Sequence, residues 1–328
     1  MIKEKIKIGS MELNNRIIMP PIATYKSTVT GEVTQEILDY YGERAKGGHI
    51  GMIMTEHSYI MLSGKANIRQ MSISKDSDVE GLKRLTDVIH QDGTKVMAQL
   101  NHAGSAAPSE VTGLKAVSAS AVVLPCIPVM GDNVEPSELT ISQIEEIVQA
   151  FAKAAGRAKT AGYDGVEIHS AHGYLLNQFY SPLTNKREDE YGGNRKNRIR
   201  IHLAVIKAVR DEVGSAFPIS VRLGGCDYME GGSKIEDAVF ATKAFENAGI
   251  DMISISGGMC RYTRKGHNEP GYFQDMSSAV KDAVSIPVLL TGGVNTAHEA
   301  EQLLQKNKAD LIGVGRALLK NPHWTIDQ

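Results

Sequence analysis

Only three cysteines occur in the 328 residues, and Cys126, Cys226 and Cys260 are far apart, odd in number and outside any C-x-x-C pattern. Neither a disulfide framework nor a cysteine-ligated iron–sulfur cluster is expected, and the three read as reduced thiols. No window approaches the about eighteen uninterrupted apolar residues that span a bilayer, and no apolar signal core follows residues 1–7. A surplus of one charge is also missing: 36 Lys plus Arg stand against 38 Asp plus Glu, for a formal net charge of −2 with no dominant basic block. Nucleic acid and membrane surfaces are therefore not expected partners. The expectation is a cytoplasmic protein acting on a small molecule, with a homo-oligomer compatible with the chain. No linker or low-complexity segment marks a domain boundary, so residues 1–328 read as one domain.

What the chain does contain is a repeating pattern. Short apolar runs rich in Val, Ile and Met, each bounded by Gly or polar residues, are followed by longer segments with helical spacing, the signature of βα units. Strands are predicted at 16–19, 51–55, 95–100, 165–169, 219–222, 252–256, 288–291 and 311–314. Helices are predicted at 35–45, 79–91, 142–161, 198–213, 235–248, 276–283, 297–305 and 316–320. Thr140 followed by Gln143 forms a capping box for the third helix, Ile144, Ile147, Val148 and Phe151 recur on one face, and Gly162 ends it. Eight units in a chain longer than the roughly 250 residues of a (β/α)8 TIM barrel favour that fold over an open sheet. The excess is expected in loops at about 103–139, 170–197 and 257–273, of which the first is the best lid candidate. Cys126, Ile127 and Met130 are its expected substrate-shaping residues.

In a barrel of this kind functional side chains collect where strands end. Residues 167–174, Glu-Ile-His-Ser-Ala-His-Gly-Tyr, place His169, His172 and Tyr174 directly after an apolar strand. Two imidazoles three residues apart can donate hydrogen bonds to one substrate oxygen, while a phenol with an ordinary pKa of about 10 supplies a proton. The same residues could instead cap the strand and pack. The His-x-x-His spacing would also suit zinc, but no Cys or further His cluster nearby completes a tetrahedron, so no metal is expected.

Gln99 closes the third strand and Arg222 the fifth. Gly292 and Gly293 follow the seventh strand, and Gly315 and Arg316 follow the eighth, the two loops from which barrels build phosphate sites. An arginine at the barrel mouth can stabilise negative charge on a reduced ring, and an amide can both donate to and accept from a heterocycle edge. No G-x-G-x-x-G run follows the first strand, so a tightly held nicotinamide dinucleotide is not indicated. A mononucleotide with a planar heterocycle fits better, and flavin mononucleotide (FMN) is the expected cofactor.

These residues resemble the Old Yellow Enzyme family of flavin-dependent ene-reductases. The similarity runs from Asn14-Asn15-Arg16 and Pro20-Pro21 to Gly315-Arg316-Ala317-Leu318, nearly the whole chain. Its most specific part is 167–179, continued by Ser181-Pro182-Leu183-Thr184-Asn185-Lys186-Arg187 and Asp189-Glu190-Tyr191-Gly192-Gly193. The resemblance implies that Pro20, Pro21, Ile22 and Ala23 line the flavin, that Gln99 meets its pyrimidine edge and that Arg222 sits by its N1 side. It further implies that Gly292, Gly293, Gly315 and Arg316 hold the phosphate, that His169 and His172 grip a substrate carbonyl, that Tyr174 donates a proton, and that Tyr25 helps shape the pocket.

Ala23 departs from the pattern, because many relatives place Thr or Cys there; the flavin is expected to be less easily reduced, with Thr24 poorly placed to compensate. Ending at Gln328, the chain looks like the short single-barrel form, without the cluster-bearing domains of some longer relatives. The activity implied is an FMN-dependent oxidoreductase that takes hydride from NAD(P)H and reduces the activated C=C bond of α,β-unsaturated carbonyl compounds. Related flavin-barrel activities, 2,4-dienoyl-CoA reduction or amine oxidation, are alternatives, as is a flavin-binding redox protein without a dedicated substrate.

Overall fold

Short strands that are apolar on both faces must be covered on both sides, and a ring of parallel strands wrapped by helices provides that cover. The computed structural model, which describes residues 1–126 and 131–325, shows this arrangement. The barrel strands are β1 (Ile17–Met19), β2 (Met52–Met54), β3 (Lys95–Asn101), β4 (Gly165–Ser170), β5 (Ile219–Gly224), β6 (Met252–Ser256), β7 (Val288–Thr291) and β8 (Leu311–Gly313). Each pairs in parallel with its successor, and β8 pairs with β1, so the sheet closes. The chain therefore folds as a (β/α)8 TIM barrel.

One helix follows each strand: α1 (Gln35–Ala45), α2 (Val79–His90), α3 (Ile141–Thr160), α4 (Arg200–Val213), α5 (Ile235–Asn247), α6 (Gln274–Lys281), α7 (Ala297–Gln305) and α8 (Arg316–Lys320). The box at the start of α3 forms as expected: the Gln143 amide donates to Thr140 Oγ1 at 3.3 Å and the Thr140 amide to Gln143 Oε1 at 2.9 Å. Ile144, Ile147, Val148, Phe151, Ala155 and Ala158 then bury one stripe against the barrel. Truncating Phe151 would cost about 3–5 kcal/mol on the usual scale for buried aromatics. No helix among the described residues is long and apolar enough to cross a membrane.

Two features fall outside the strand–helix repeat. Ile6–Ile8 and Met11–Leu13 form an antiparallel hairpin whose Ile8, Met11 and Leu13 pack with Ile18, Met52, Met54, Met97, Met252, Leu289 and Leu311. Those strand residues point into the barrel at its N-terminal end, so the hairpin plugs the floor. The stretches expected as loops carry structure of their own. Val117–Ser118 pairs with Ser137–Glu138 after β3, and a fully buried helix, Leu175–Tyr180, follows β4.

Candidate active site

Going up the barrel from the methionine-rich floor, the next inward side chains are polar. Parallel register sets Gln99 of β3 beside Glu167 of β4, and Arg222 of β5 between His169 of β4 and Ser254 of β6. The Gln99 amide donates to Glu167 Oε1 at 2.7 Å. Burial pushes the Glu167 carboxyl up, opposed by the Arg222 guanidinium, and burial pushes Arg222 down, opposed by Glu167. Each charge thus moderates the desolvation of the other. Arg222 Nε is buried without a hydrogen-bond partner among the described residues, as is Thr291 Oγ1 at the end of β7. Unpaired buried polar atoms are costly in a finished core and are expected where a polar ligand sits.

Above this layer β4 delivers its imidazoles. After Ser170 the chain turns back through His172 (φ 62°) and Gly173 (φ 77°), and a Cβ at Gly173 would lie 2.5 Å from Cys126 Sγ. This reversal puts the His172 ring 5.1 Å from that of His169, edge to face, and the Tyr174 ring 5.0 Å from His169. Gln178 locks the turn: its amide nitrogen donates to the carbonyls of Gly173 (2.7 Å) and Ala103 (3.1 Å), and its oxygen accepts from the Ser105 amide (3.1 Å) and Ser118 Oγ (2.9 Å). The loops after β3 and β4 are thereby tied to one side chain.

The three groups are uncharged donors at neutral pH. Burial holds His169 and His172 well below the usual histidine range, reinforced for His169 by His172 and Arg222 and for His172 by Arg222 and Arg261. Burial also pushes the Tyr174 hydroxyl up to about 12. His169 Nδ1 accepts the Ala171 amide at 3.3 Å, which assigns its proton to Nε2. His172 Nε2 lies 2.6 Å from Ser256 Oγ at the end of β6.

Pro20, Pro21, Ile22, Ala23, Tyr25, Gln99, His169, His172, Tyr174, Arg222, Gly292, Gly293, Gly315 and Arg316 all line one cavity of about 530 Å³ at the C-terminal mouth of the barrel. The sequence thus places every predicted site residue on one surface, of a size suited to a cofactor with a small substrate. The glycine end suits a phosphate. Gly292 (φ 141°) and Gly293 (φ 76°) hold backbone that side chains rarely adopt, and a Cβ on Gly292 would meet the Tyr272 ring at 2.9 Å. Arg316 opens α8, so its amide belongs to the first turn that helical bonding leaves unpaired. The unpartnered Arg222 Nε suits the electron-rich edge of a flavin. Thr24 does not replace the side chain that Ala23 lacks, since its hydroxyl accepts the Lys26 amide at 3.2 Å and it is not part of the cavity wall. Of the expected lid residues, Cys126 is buried with Sγ 3.8 Å from Met259 Sδ, whereas Ile127 and Met130 lie outside the described residues.

His57, Arg261, Tyr262 and Tyr272 also line the cavity and were missed by the sequence reading. His57 follows β2 by three residues, so the rule that found Gln99 and Arg222 extends to it. Arg261 and Tyr262 come from the loop after β6, where nothing in the local sequence fixes direction. No group of three or more His, Cys, Asp or Glu suited to a metal occurs among the described residues.

A profile of the NADH:flavin oxidoreductase / NADH oxidase family matches residues 3–327. Among curated proteins, the chain is 37% identical over 324 residues to an NADH oxidase of Thermoanaerobacter brockii, covering 97% of this chain and 49% of the relative. It is 42% identical over 319 residues to a metal reductase of Desulforamulus reducens, covering 96% of this chain and 47% of the relative. The chain spans about half the length of these curated relatives. Among solved structures, a 2-naphthoyl-CoA reductase superposes with a TM-score of 0.92 at 28% identity, over 99% of this chain and 51% of that one. The Old Yellow Enzyme homologue of Zymomonas mobilis does so at 0.84 and 28% identity, over 98% and 90% of the two chains. Morphinone reductase gives 0.86 at 26% identity, over 99% and 88%.

Proposed function

The chain belongs to the NADH:flavin oxidoreductase / NADH oxidase family, the Old Yellow Enzyme group, and from that premise we propose that it is an FMN-dependent, NAD(P)H-consuming reductase of activated C=C bonds in α,β-unsaturated carbonyl compounds. The observation that carries this reading is the cluster of His169, His172 and Tyr174, three uncharged donors around one cavity, His169 and Tyr174 buried and His172 half-buried. Bound FMN would supply the two-electron store that links NAD(P)H to the alkene. Gln99 and Arg222 would hold its ring, Pro20, Pro21, Ile22 and Ala23 would wall it, and Gly292, Gly293, Gly315 and Arg316 would hold its phosphate.

The protein's own part is positioning and charge. His169, with its proton on Nε2, and His172 offer N–H groups to a carbonyl oxygen, drawing electron density from the β carbon and stabilising the oxyanion that forms. Because both imidazoles are neutral, they donate without giving up a proton. The Tyr174 hydroxyl stays protonated well beyond neutral pH and can deliver its proton to the α carbon. Tyr25, largely exposed and with a left-handed backbone (φ 57°), borders the entrance and would shape the pocket.

The test separates the two halves of turnover. With cyclohexenone, Tyr174→Phe is expected to slow alkene reduction by about 10²–10⁴, the usual general-acid contribution, while leaving the reduction of bound flavin by NAD(P)H near the wild-type rate. Equal loss in both halves would remove Tyr174 from its role. Turnover of amines or dienoyl thioesters with no activity on enones would favour a related flavin-barrel reaction, and no turnover with any of them would favour a carrier.

A further inference from the structure

We propose that the histidine end of the cavity recognises a carboxylate carried by the unsaturated substrate, with Arg261 as the selecting cation and His57 as a third N–H donor. The proposal rests on the reading above and narrows its substrate class.

Among the described residues the cavity wall contains no Asp or Glu. Arg222 faces Glu167 beneath it, and Arg316 stands at the glycine end. Arg261, near His172 and Tyr174, has no ion-pair partner among the described residues, and its Nε is buried without a hydrogen bond. Its neighbour in the same loop, Arg264, is paired with Asp275 at 2.9 Å.

The loop is built to present Arg261. Its backbone is left-handed (φ 61°), an uncommon state for a side chain of this size, and its amide donates to the Gly258 carbonyl at 2.9 Å. Gly257 permits the winding, because a Cβ there would collide with the Arg261 carbonyl oxygen. The guanidinium lies 5.1 Å from the Tyr262 ring, and that ring stands edge to face with His172 at 6.0 Å.

His57 supplies the other half. The orientation of Gln70 is fixed independently, since its oxygen accepts the Ala66 amide at 2.6 Å and its nitrogen donates to the His57 carbonyl at 2.9 Å. That nitrogen is also 2.7 Å from His57 Nδ1, and Asn101 Nδ2 is 3.2 Å away, so Nδ1 accepts and the ring proton resides on Nε2. The ring lies 5.3 Å from that of Tyr174 and 6.2 Å from that of His169.

Donor counting identifies the ligand. A carbonyl oxygen has two lone pairs, and His169 and His172 suffice for it. Two further donors, one of them a cation, in a wall that holds no Asp or Glu among the described residues match an ionised carboxylate, which accepts through about four sites and donates nothing. An ammonium substrate would meet donors and a like charge, so the same geometry opposes amines.

The test uses 4-oxo-2-pentenoic acid and its methyl ester, which share one activated alkene, as oxidants of the NAD(P)H-reduced holoenzyme at neutral pH. The ester is the more electron-poor alkene, so a preference for the acid runs against intrinsic reactivity. The expected acid-to-ester ratio of kcat/KM is at least about tenfold, equivalent to about 1.4 kcal/mol. Arg261→Gln should collapse that ratio by a similar factor and Arg261→Lys should restore part of it, each at unchanged FMN content per chain. The saturated analogue 4-oxopentanoate, followed by its perturbation of the flavin spectrum, should show a Kd raised about tenfold by Arg261→Gln and raised less by His57→Phe. An acid-to-ester ratio near one that Arg261→Gln does not move would overturn the proposal. A raised KM for NAD(P)H with an unmoved ratio would do the same, by assigning Arg261 to the nicotinamide phosphates. If neither alkene is reduced, the ene-reductase reading fails instead, and the 4-oxopentanoate titration alone decides whether the carboxylate site exists.

Discussion

The two ends of the barrel solve the same packing problem in opposite ways. At the floor the inward side chains are Ile18, Met52, Met54, Met97, Met252, Leu289 and Leu311, all fully buried and sealed by the N-terminal hairpin. Toward the mouth, Gln99 and Ser254 follow Met97 and Met252 by two residues on β3 and β6, Glu167 and Arg222 join them from β4 and β5, and the imidazoles stand above. The floor gains from burial at about 25 cal/mol per Å² of apolar area. The mouth incurs a desolvation cost and leaves Arg222 Nε, Thr291 Oγ1 and Arg261 Nε without a hydrogen-bond partner among the described residues. Stability is thus concentrated at one end and binding capacity at the other, and substitutions at the two ends should separate the two properties.

The largest effect is expected at the mouth. His169→Ala removes one preorganised donor and should slow enone reduction by about 10²–10³, or about 2.7–4 kcal/mol of barrier. Its thermal midpoint should change little compared with a floor substitution, and a large drop in midpoint would undo the division of labour. At the floor, Leu289→Ala should lower unfolding free energy by about 2–5 kcal/mol in denaturant titration while retaining the rate of flavin reduction. A matching loss of rate would mean that the two ends are coupled.

A subtler contrast is in pH. His202, on the buried face of α4, is stacked on Phe245 at 5.4 Å, has Nε2 2.7 Å from Ser170 Oγ, and is pushed down to about 3 by burial. A folded-state pKa below the unfolded value means that the unfolded chain binds more protons, so stability is complete above about 6.5 and is lost as pH falls toward 3. His57, pushed down to about 4, adds to the same limb. Glu56, pushed up to about 7 by burial, acts in the opposite sense, its contribution fading as pH rises from 4.5 to 7. His202→Gln should therefore flatten the acid side of a plot of thermal midpoint against pH, whatever its effect on absolute stability. An unchanged slope would show that other groups govern the limb.

The floor and the strand ends were legible in the sequence for a physical reason. A parallel strand covered on both sides must be a short apolar run, and each of the eight runs stands where such a run was read, within a residue or two at each end. The hairpin was equally legible, since Ile6-Lys7-Ile8 and Met11-Glu12-Leu13 alternate around Gly9-Ser10, but it lies outside the βα repeat that organised the reading. His57 carries no apolar signal of its own, because the run at 51–55 gives way to Glu56, although Ser58–Tyr59 still pairs with the end of β3 and so keeps the imidazole at the barrel mouth. Leu175–Tyr180 leaves no helical signal, because six residues, all buried, give no period long enough to recognise. Arg261 was beyond reach: its direction depends on a left-handed backbone state and on Gly257 lacking a Cβ, and neither leaves a pattern in neighbouring residues.

The central claim, that the polar mouth is a flavin site, is tested most directly by measuring flavin bound per chain in the purified protein, with Arg222→Met alongside. The account predicts a yellow protein with one FMN per chain, bleached anaerobically by NAD(P)H, and a variant that folds but retains FMN poorly. A colourless protein that takes up no added FMN, or a variant that binds FMN as tightly as the wild type, would contradict it.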